Sequence, residues 1–212
     1  MTTSLQNFVT DTWVEATWEA FMRCAYNPAY EHGKAYYYQG KARIEIIPLG
    51  WNHAEDNTMI SSLINIFCAV KGIPVRGLTN CSFRKTGLQE AQPDLAFYIN
   101  SLENIPRRSN SPVDLNQFPP PDLVVEMAAS SLGDDLGVKR LLYESLAVQE
   151  YWVVDVNHSE VICFVIANGG SKSISTSPTL PGLTMSIAQE TLERSHAEDH
   201  GAITRWLWSQ FS

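Results

Sequence analysis

Apolar positions along the chain follow two rhythms. Near-helical spacing runs from Asp11 to about Cys24, through Trp13, Val14, Ala16, Trp18, Phe21 and Met22. It returns over 53–70, where Ile60, Leu63, Ile64 and Phe67 fall on one stripe. Strand-type runs make up most of the remainder. AYYY (35–38) and ARIEII (42–47) flank Gln39-Gly40 and predict a hairpin. Short strand-like runs lie near 73–76 and 80–84, and a stronger one is PDLAFYI at 93–99. Residues 100–121, polar and ending in three prolines, predict a loop. DLVVEM (122–127) and YWVVDV (151–156) predict buried strands, and VICFVIA (161–167) pairs with the latter across Asn157–Glu160. A helix opening on Asp134-Asp135 is predicted over 134–147. A strand or loop near Leu180–Met185 and an acidic, then aromatic, C-terminal helix close the chain. The pattern is that of a mixed α/β protein.

Composition narrows the picture. With 212 residues, 44% of them hydrophobic and 18% charged, one domain spanning 1–212 is expected. A chain of this size buries roughly 70% of its unfolded surface, which excludes disordered and fibrous classes. No apolar run approaches the ~20 residues that span a bilayer. MTTSLQNFVTDTW has neither the basic nor the apolar region of a secretory signal, so a cytoplasmic location is expected. Cys24, Cys68, Cys81 and Cys163 form no C-x-x-C pair and have no histidine at zinc spacing, so reduced, mostly buried thiols are expected.

The net charge of −8 argues against a nucleic-acid binder of the basic-patch kind. Its distribution softens that argument. Residues 1–31 hold four acids against one base, and 186–212 hold four against two. The middle, 32–185, is left with fifteen acids against twelve bases. Weak, salt-sensitive DNA binding remains compatible with such a domain.

Candidate chemistry centres on two strands that begin with Pro-Asp, at Pro93-Asp94 and Pro121-Asp122. The second strand carries Glu126 inside an apolar run, where a carboxylate is costly unless paired, metal-bound or functional. Asp122 lies four residues from Glu126 on one strand, about 13 Å at ~3.3 Å per residue, too far to share an ion. Asp94 is the better partner. If 94–99 and 122–127 are antiparallel neighbours, Asp94 and Glu126 face one another and form an oxygen site suited to Mg²⁺. The plain alternative is that Asp94 caps a turn and Glu126 pairs with a buried cation. On the helix 134–147, Lys139 falls between Leu146 and Tyr143 on the inward arc, with Arg140, Glu144 and Ala147 opposite. An inward ammonium wants an anion, either Glu126 or a phosphate, or else it pairs with Asp135 four residues back. The chain contains no G-x-x-x-x-G-K-[ST], G-x-S-x-G or H-E-x-x-H motif.

The order Pro-Asp strand, PDLVVE strand, serine-containing loop, helix with an inward lysine followed by tyrosine, then EYWVVD resembles the Uma-type family. That family is assigned to restriction-type endonucleases of the PD-(D/E)XK superfamily. The resemblance covers about 34–156, and its specific part is PPDLVVEMAASS…DDLGVKRLLYESLAVQEYW. Arg43-Ile44-Glu45 and His53 also match. The resemblance implies a restriction-endonuclease-like fold: a mixed central sheet flanked by helices, with an N-terminal helix and hairpin. Its core would be about 34–167, with helical extensions at both ends. It also implies a Mg²⁺ (or Mn²⁺) site on Asp94 and Glu126, DNA as partner, and Glu45 and His53 as auxiliary groups. For His53, a polar residue that merely opens a helix beside Asn52 fits the sequence as well. The superfamily lysine usually lies two residues after the glutamate. Position 128 is alanine here, so Lys139 takes that role. The family's Ser-Pro-Ser loop is Ala128-Ala129-Ser130-Ser131 in this chain. A homodimer is expected, since cutting both strands needs two sites and six tryptophans supply interface anchors. A nuclease-fold protein that binds DNA or a protein partner without cutting, and an unrelated α/β interaction module, are the competing readings.

Overall fold

The computed structural model describes residues 9–46 and 50–212. The last residue of the expected hairpin, Ile47, and most of the segment searched for a signal lie outside the described residues.

Near the N-terminus the expected helix is shorter than its apolar spacing suggests. Val14–Glu15 (β1) pairs in a sheet, and the helix is confined to Trp18–Ala25 (α1). Thr17 decides the boundary, since its hydroxyl accepts from the Ala20 backbone N–H at 3.2 Å as an N-cap. The hairpin follows as Lys34–Tyr38 (β2) and Lys41–Glu45 (β3), turning through Gln39 and Gly40, both at positive φ. Trp51–Lys71 (α2) is closed by Gly72 in the left-handed region, φ 67°.

Next come Val75–Thr79 (β4), Phe83–Lys85 (β5), Gln89–Ala91 (β6) and Leu95–Ile99 (β7). The long loop is interrupted only by Val113–Asp114 (β8) and leads into Leu123–Ala128 (β9). The helix expected over 134–147 is two helices, Leu132–Leu136 (α3) and Val138–Ser145 (α4). Gly137 breaks it, at φ −103° and ψ −106°, in a place where a Cβ would lie 2.7 Å from the Gly133 carbonyl oxygen. Glu150–Asp155 (β10), Glu160–Ala167 (β11) and Gly170–Ile174 (β12) follow, then Met185–Ser195 (α5) and His200–Phe211 (α6).

These strands form two sheets. The central one runs β12-β11-β10-β9-β7-β4, mixed because β9 and β10 are parallel while their neighbours pair antiparallel. The hairpin is part of the second, β1-β3-β2-β6-β5-β8. Helices α2, α5 and α6 cover one face of the central sheet with Leu63, Phe67, Leu192, Leu207 and Phe211. The second sheet and α4 cover the other face with Tyr36, Phe83, Leu142 and Tyr143. Parallel neighbours need a crossover. The crossover from β9 to β10 runs through α3 and α4, on the face that Glu126 shares. Among the described residues, no helix is long and apolar enough to cross a membrane.

Candidate active site

The register of β7 against β9 pairs Leu95 with Val125, so the next step outward sets Asp94 opposite Glu126. Ala96, Tyr98, Val124 and Ala128 alternate onto the face covered by α4, and the period of two sends Asp94 and Glu126 there too. Both are buried, with 2% and 1% of their surface exposed. Asp94 Oδ2 accepts the Met127 backbone N–H at 2.9 Å, and Oδ1 lies 3.5 Å from His53 Nε2. Tyr143 donates to Glu126 Oε1 at 2.6 Å and Tyr36 donates to the same oxygen at 3.1 Å.

Lys139 points inward, only 1% exposed. Its Nζ is 2.9 Å from both Glu45 Oε1 and Asp135 Oδ1, and 3.9 Å from Glu126 Oε2. The ammonium also lies 4.4 Å above the Tyr36 ring. The two partners foreseen for this lysine, the site carboxylate and Asp135, are therefore reached together. Glu45 receives Arg43 Nε at 2.8 Å, and Arg43 Nη1 reaches Asp134 at 2.9 Å. The outward arc is only partly solvated, because the Arg140 guanidinium lies 5.2 Å over the Phe164 ring.

Lys34 enters from β2 and was not foreseen. Its Nζ lies 2.5 Å from Asp94 Oδ1 and 3.8 Å from Glu126 Oε2. The signal that would have found it is period two within the hairpin, which puts Lys34 on the same strand face as buried Tyr36. Tyr36 is the second such residue, hidden within a run that reads only as strand.

Burial dominates the electrostatics of Glu126, raising its carboxyl to about 8 despite the Lys139 and Lys34 charges. Burial also pushes Asp94 up, but Lys34, His53 and two hydrogen bonds outweigh it and hold the carboxyl below its usual value. Glu45 is depressed in the same way, Lys139 overcoming its burial. Burial lowers the His53 imidazole, opposed by the Asp94 charge. The two facing carboxyls are thus pushed apart, Asp94 towards its ionised form and Glu126 towards its protonated one.

Lys34, Glu45, His53, Asp94, Glu126 and Lys139 line a common cavity of about 200 Å³, with Ser130 and Ser131 at its edge. All five residues singled out in the sequence therefore meet in one place. Among the described residues no group of three or more histidine, cysteine, aspartate or glutamate side chains converges as a metal cage. Two facing carboxylates beside open volume are the donor set of a hard cation that keeps most of its waters.

The sheet order and the crossover over its acid-bearing face define a restriction-endonuclease-like fold. A crystal structure described as "a putative nuclease belonging to DUF820 from Anabaena variabilis ATCC 29413" shares it, with a TM-score of 0.58 at 19% identity. That match takes in 83% of this chain and 98% of the other. The chain belongs to the Uma2 family, described as "putative restriction endonuclease", which matches residues 18–197. No curated protein is significantly similar to the chain.

Proposed function

We propose that this protein is an endonuclease that hydrolyses DNA phosphodiester bonds with a divalent ion, Mg²⁺ or Mn²⁺, held by Asp94 and Glu126. The observation that carries the reading is the facing of these two buried carboxylates across β7 and β9, with Lys139 within 4 Å of one of them. The ion supplies Lewis-acid polarisation of a phosphoryl oxygen and a more acidic water. The chain's own groups do the rest. Tyr143 and Tyr36 fix the Glu126 carboxyl by hydrogen bonds. Glu45 and Asp135 hold the Lys139 ammonium, which stabilises charge gathering on the phosphate. His53, at the mouth of α2, is an auxiliary group beside Asp94. A homodimer would supply the second site needed to cut both strands.

Plasmid nicking tests this. Wild type nicks supercoiled DNA with Mg²⁺ or Mn²⁺, and Asp94→Ala and Glu126→Ala proteins that remain folded do not. Equal nicking by all three overturns the reading. A second reading, binding DNA without cutting it, is favoured by Lys34, because its ammonium already neutralises the carboxylate pair. Gel retardation without cleavage in the same assay would establish it.

A further inference from the structure

A second concavity, about 1000 Å³, opens on the same side of the central sheet as the acid cavity. Arg76 of β4 and Arg107 and Arg108 of the loop after β7 line it, over a floor that includes Leu78, Tyr98 and Phe118. All three arginines are exposed and, among the described residues, their side chains make no ion pair, hydrogen bond or ring contact. Arg43, Arg84 and Arg194, by contrast, are each held by a glutamate at 3.0 Å or less, while Arg23 and Arg205 are isolated exposed arginines elsewhere on the surface. Two acids also stand on the wall, Glu103 and Asp114. The Asp114 carboxylate is already occupied, accepting from Asn116 N at 2.9 Å, Asn116 Nδ2 at 3.0 Å and Gln117 Nε2 at 2.8 Å. The wall thus carries three guanidinium groups against two carboxylates, a local net positive charge in a chain of net charge −8.

We infer that this arginine cleft is the surface that grips the phosphate backbone of duplex DNA; the inference rests on the nuclease reading above. Guanidinium forks pair with phosphate oxygens bidentately and lose less hydration than ammonium groups. Position supports the assignment. Asp94 and Tyr98 alternate onto one face of the sheet, and Arg76 stands opposite Tyr98 in the register of β4 on β7. Four strand residues separate them, about 13 Å at ~3.3 Å each. Four steps of a duplex strand at ~3.4 Å cover the same span. The acid cavity and the cleft abut at a single turn, Asn80 lining one and Cys81 the other. The loop bearing Arg107 and Arg108 is fastened at its ends, by Ser101 N to Ile99 O at 2.9 Å and Val113 N to Ser82 O at 2.8 Å. It carries no strand or helix in between, so it can settle onto a backbone without breaking a ladder.

The test is fluorescence anisotropy on the full chain with a labelled 24-base-pair duplex in EDTA, across a salt series. An Arg76→Gln/Arg107→Gln/Arg108→Gln protein with unchanged circular dichroism should bind at least tenfold more weakly at low salt. Its log–log salt slope should fall by about 2 to 3, since each phosphate contact contributes ~0.9. An Arg23→Gln/Lys172→Gln/Arg205→Gln protein loses the same charge elsewhere and should bind nearly as wild type does. Equal weakening of the two triple variants, or no weakening of the first, overturns the cleft. If metal-dependent nicking persists in that case, the nuclease reading stands without it. A wild type that neither binds the duplex nor nicks plasmid removes both.

Discussion

Lys34 and Asp94, sixty residues apart in sequence, meet as a partly buried ion pair at 2.5 Å. The Lys34 ammonium stands between Asp94 and Glu126, in the space a cation shared by the two carboxylates would take. Its own side chain is 14% exposed, at the edge of the cavity. Lys34→Met should therefore act in two directions. In EDTA the variant should lose about 3–5 kcal/mol, as expected when the cation partner of a buried carboxylate is removed. In calorimetric titration it should nevertheless bind Mn²⁺ more tightly than wild type. Unchanged Mn²⁺ affinity would show that ammonium and metal do not compete for the same space.

Glu126 predicts how stability depends on pH in the metal-free protein. Its carboxyl is raised to about 8 in the folded state, against 4.5 for an ordinary glutamate. Between those values the folded chain holds a proton that the unfolded chain has released. Stability from this group is thus full below about pH 4.5 and falls as pH rises towards 8, by about 1.4 kcal/mol per pH unit. Urea unfolding from pH 5 to 8 should show that decline, and Glu126→Gln should flatten it. A decline of equal slope in the variant would assign it to another group.

Lys139 is paired with the fully buried Asp135 and the partly buried Glu45, so truncating it strands Asp135, whereas Glu45 keeps Arg43. Lys139→Met should cost about 3–5 kcal/mol, because it leaves uncompensated charge in the interior. Adding Asp135→Asn should recover part of that loss, since Asp135 is fully buried and its carboxyl is already raised by burial. A double-mutant cycle in urea measures the coupling. Strictly additive losses would mean that the 2.9 Å contact carries no interaction energy.

Gly137 sets where Lys139 points. A Cβ there meets the Gly133 carbonyl oxygen at 2.7 Å, and a backbone atom has no flexible end to swing aside. Gly137→Ala should cost about 1–3 kcal/mol by forcing the α3–α4 junction apart. It should also reduce nicking more than a surface change of equal cost in stability, such as one on α6. Thermal unfolding and nicking rates measured together separate the two effects.

The features legible in the sequence were those that local chemistry dictates. An apolar run interrupted by one acid marked β9 and its Glu126, and Pro-Asp before another run marked the start of β7. Helical period put Lys139 on the inward arc even though the helix itself is broken. What stayed hidden depends on pairings between distant segments. Tyr37 and Tyr38 pair with Glu90 and Gln89 to build the second sheet, and nothing in either segment announces the other. Lys34 follows from that sheet, because only its docking over β7 carries an ordinary-looking strand lysine to Asp94. The break at Gly137 was masked by apolar spacing that runs through it unchanged. The same blindness hid the start of the first helix, where a threonine cap and a two-residue strand outweigh the apolar spacing of Trp13, Val14 and Ala16.

The acid cavity draws its six named side chains from six separate segments: β2, β3, α2, the residue leading into β7, β9 and α4. The crossover that delivers Lys139 closes only when β10 docks beside β9. A chain still emerging from the ribosome therefore carries every one of these groups without the cavity. Should the protein cut DNA, its synthesis would be harmless to the template that encodes it until the fold is complete, and thermal loss of the fold would switch the site off as a unit.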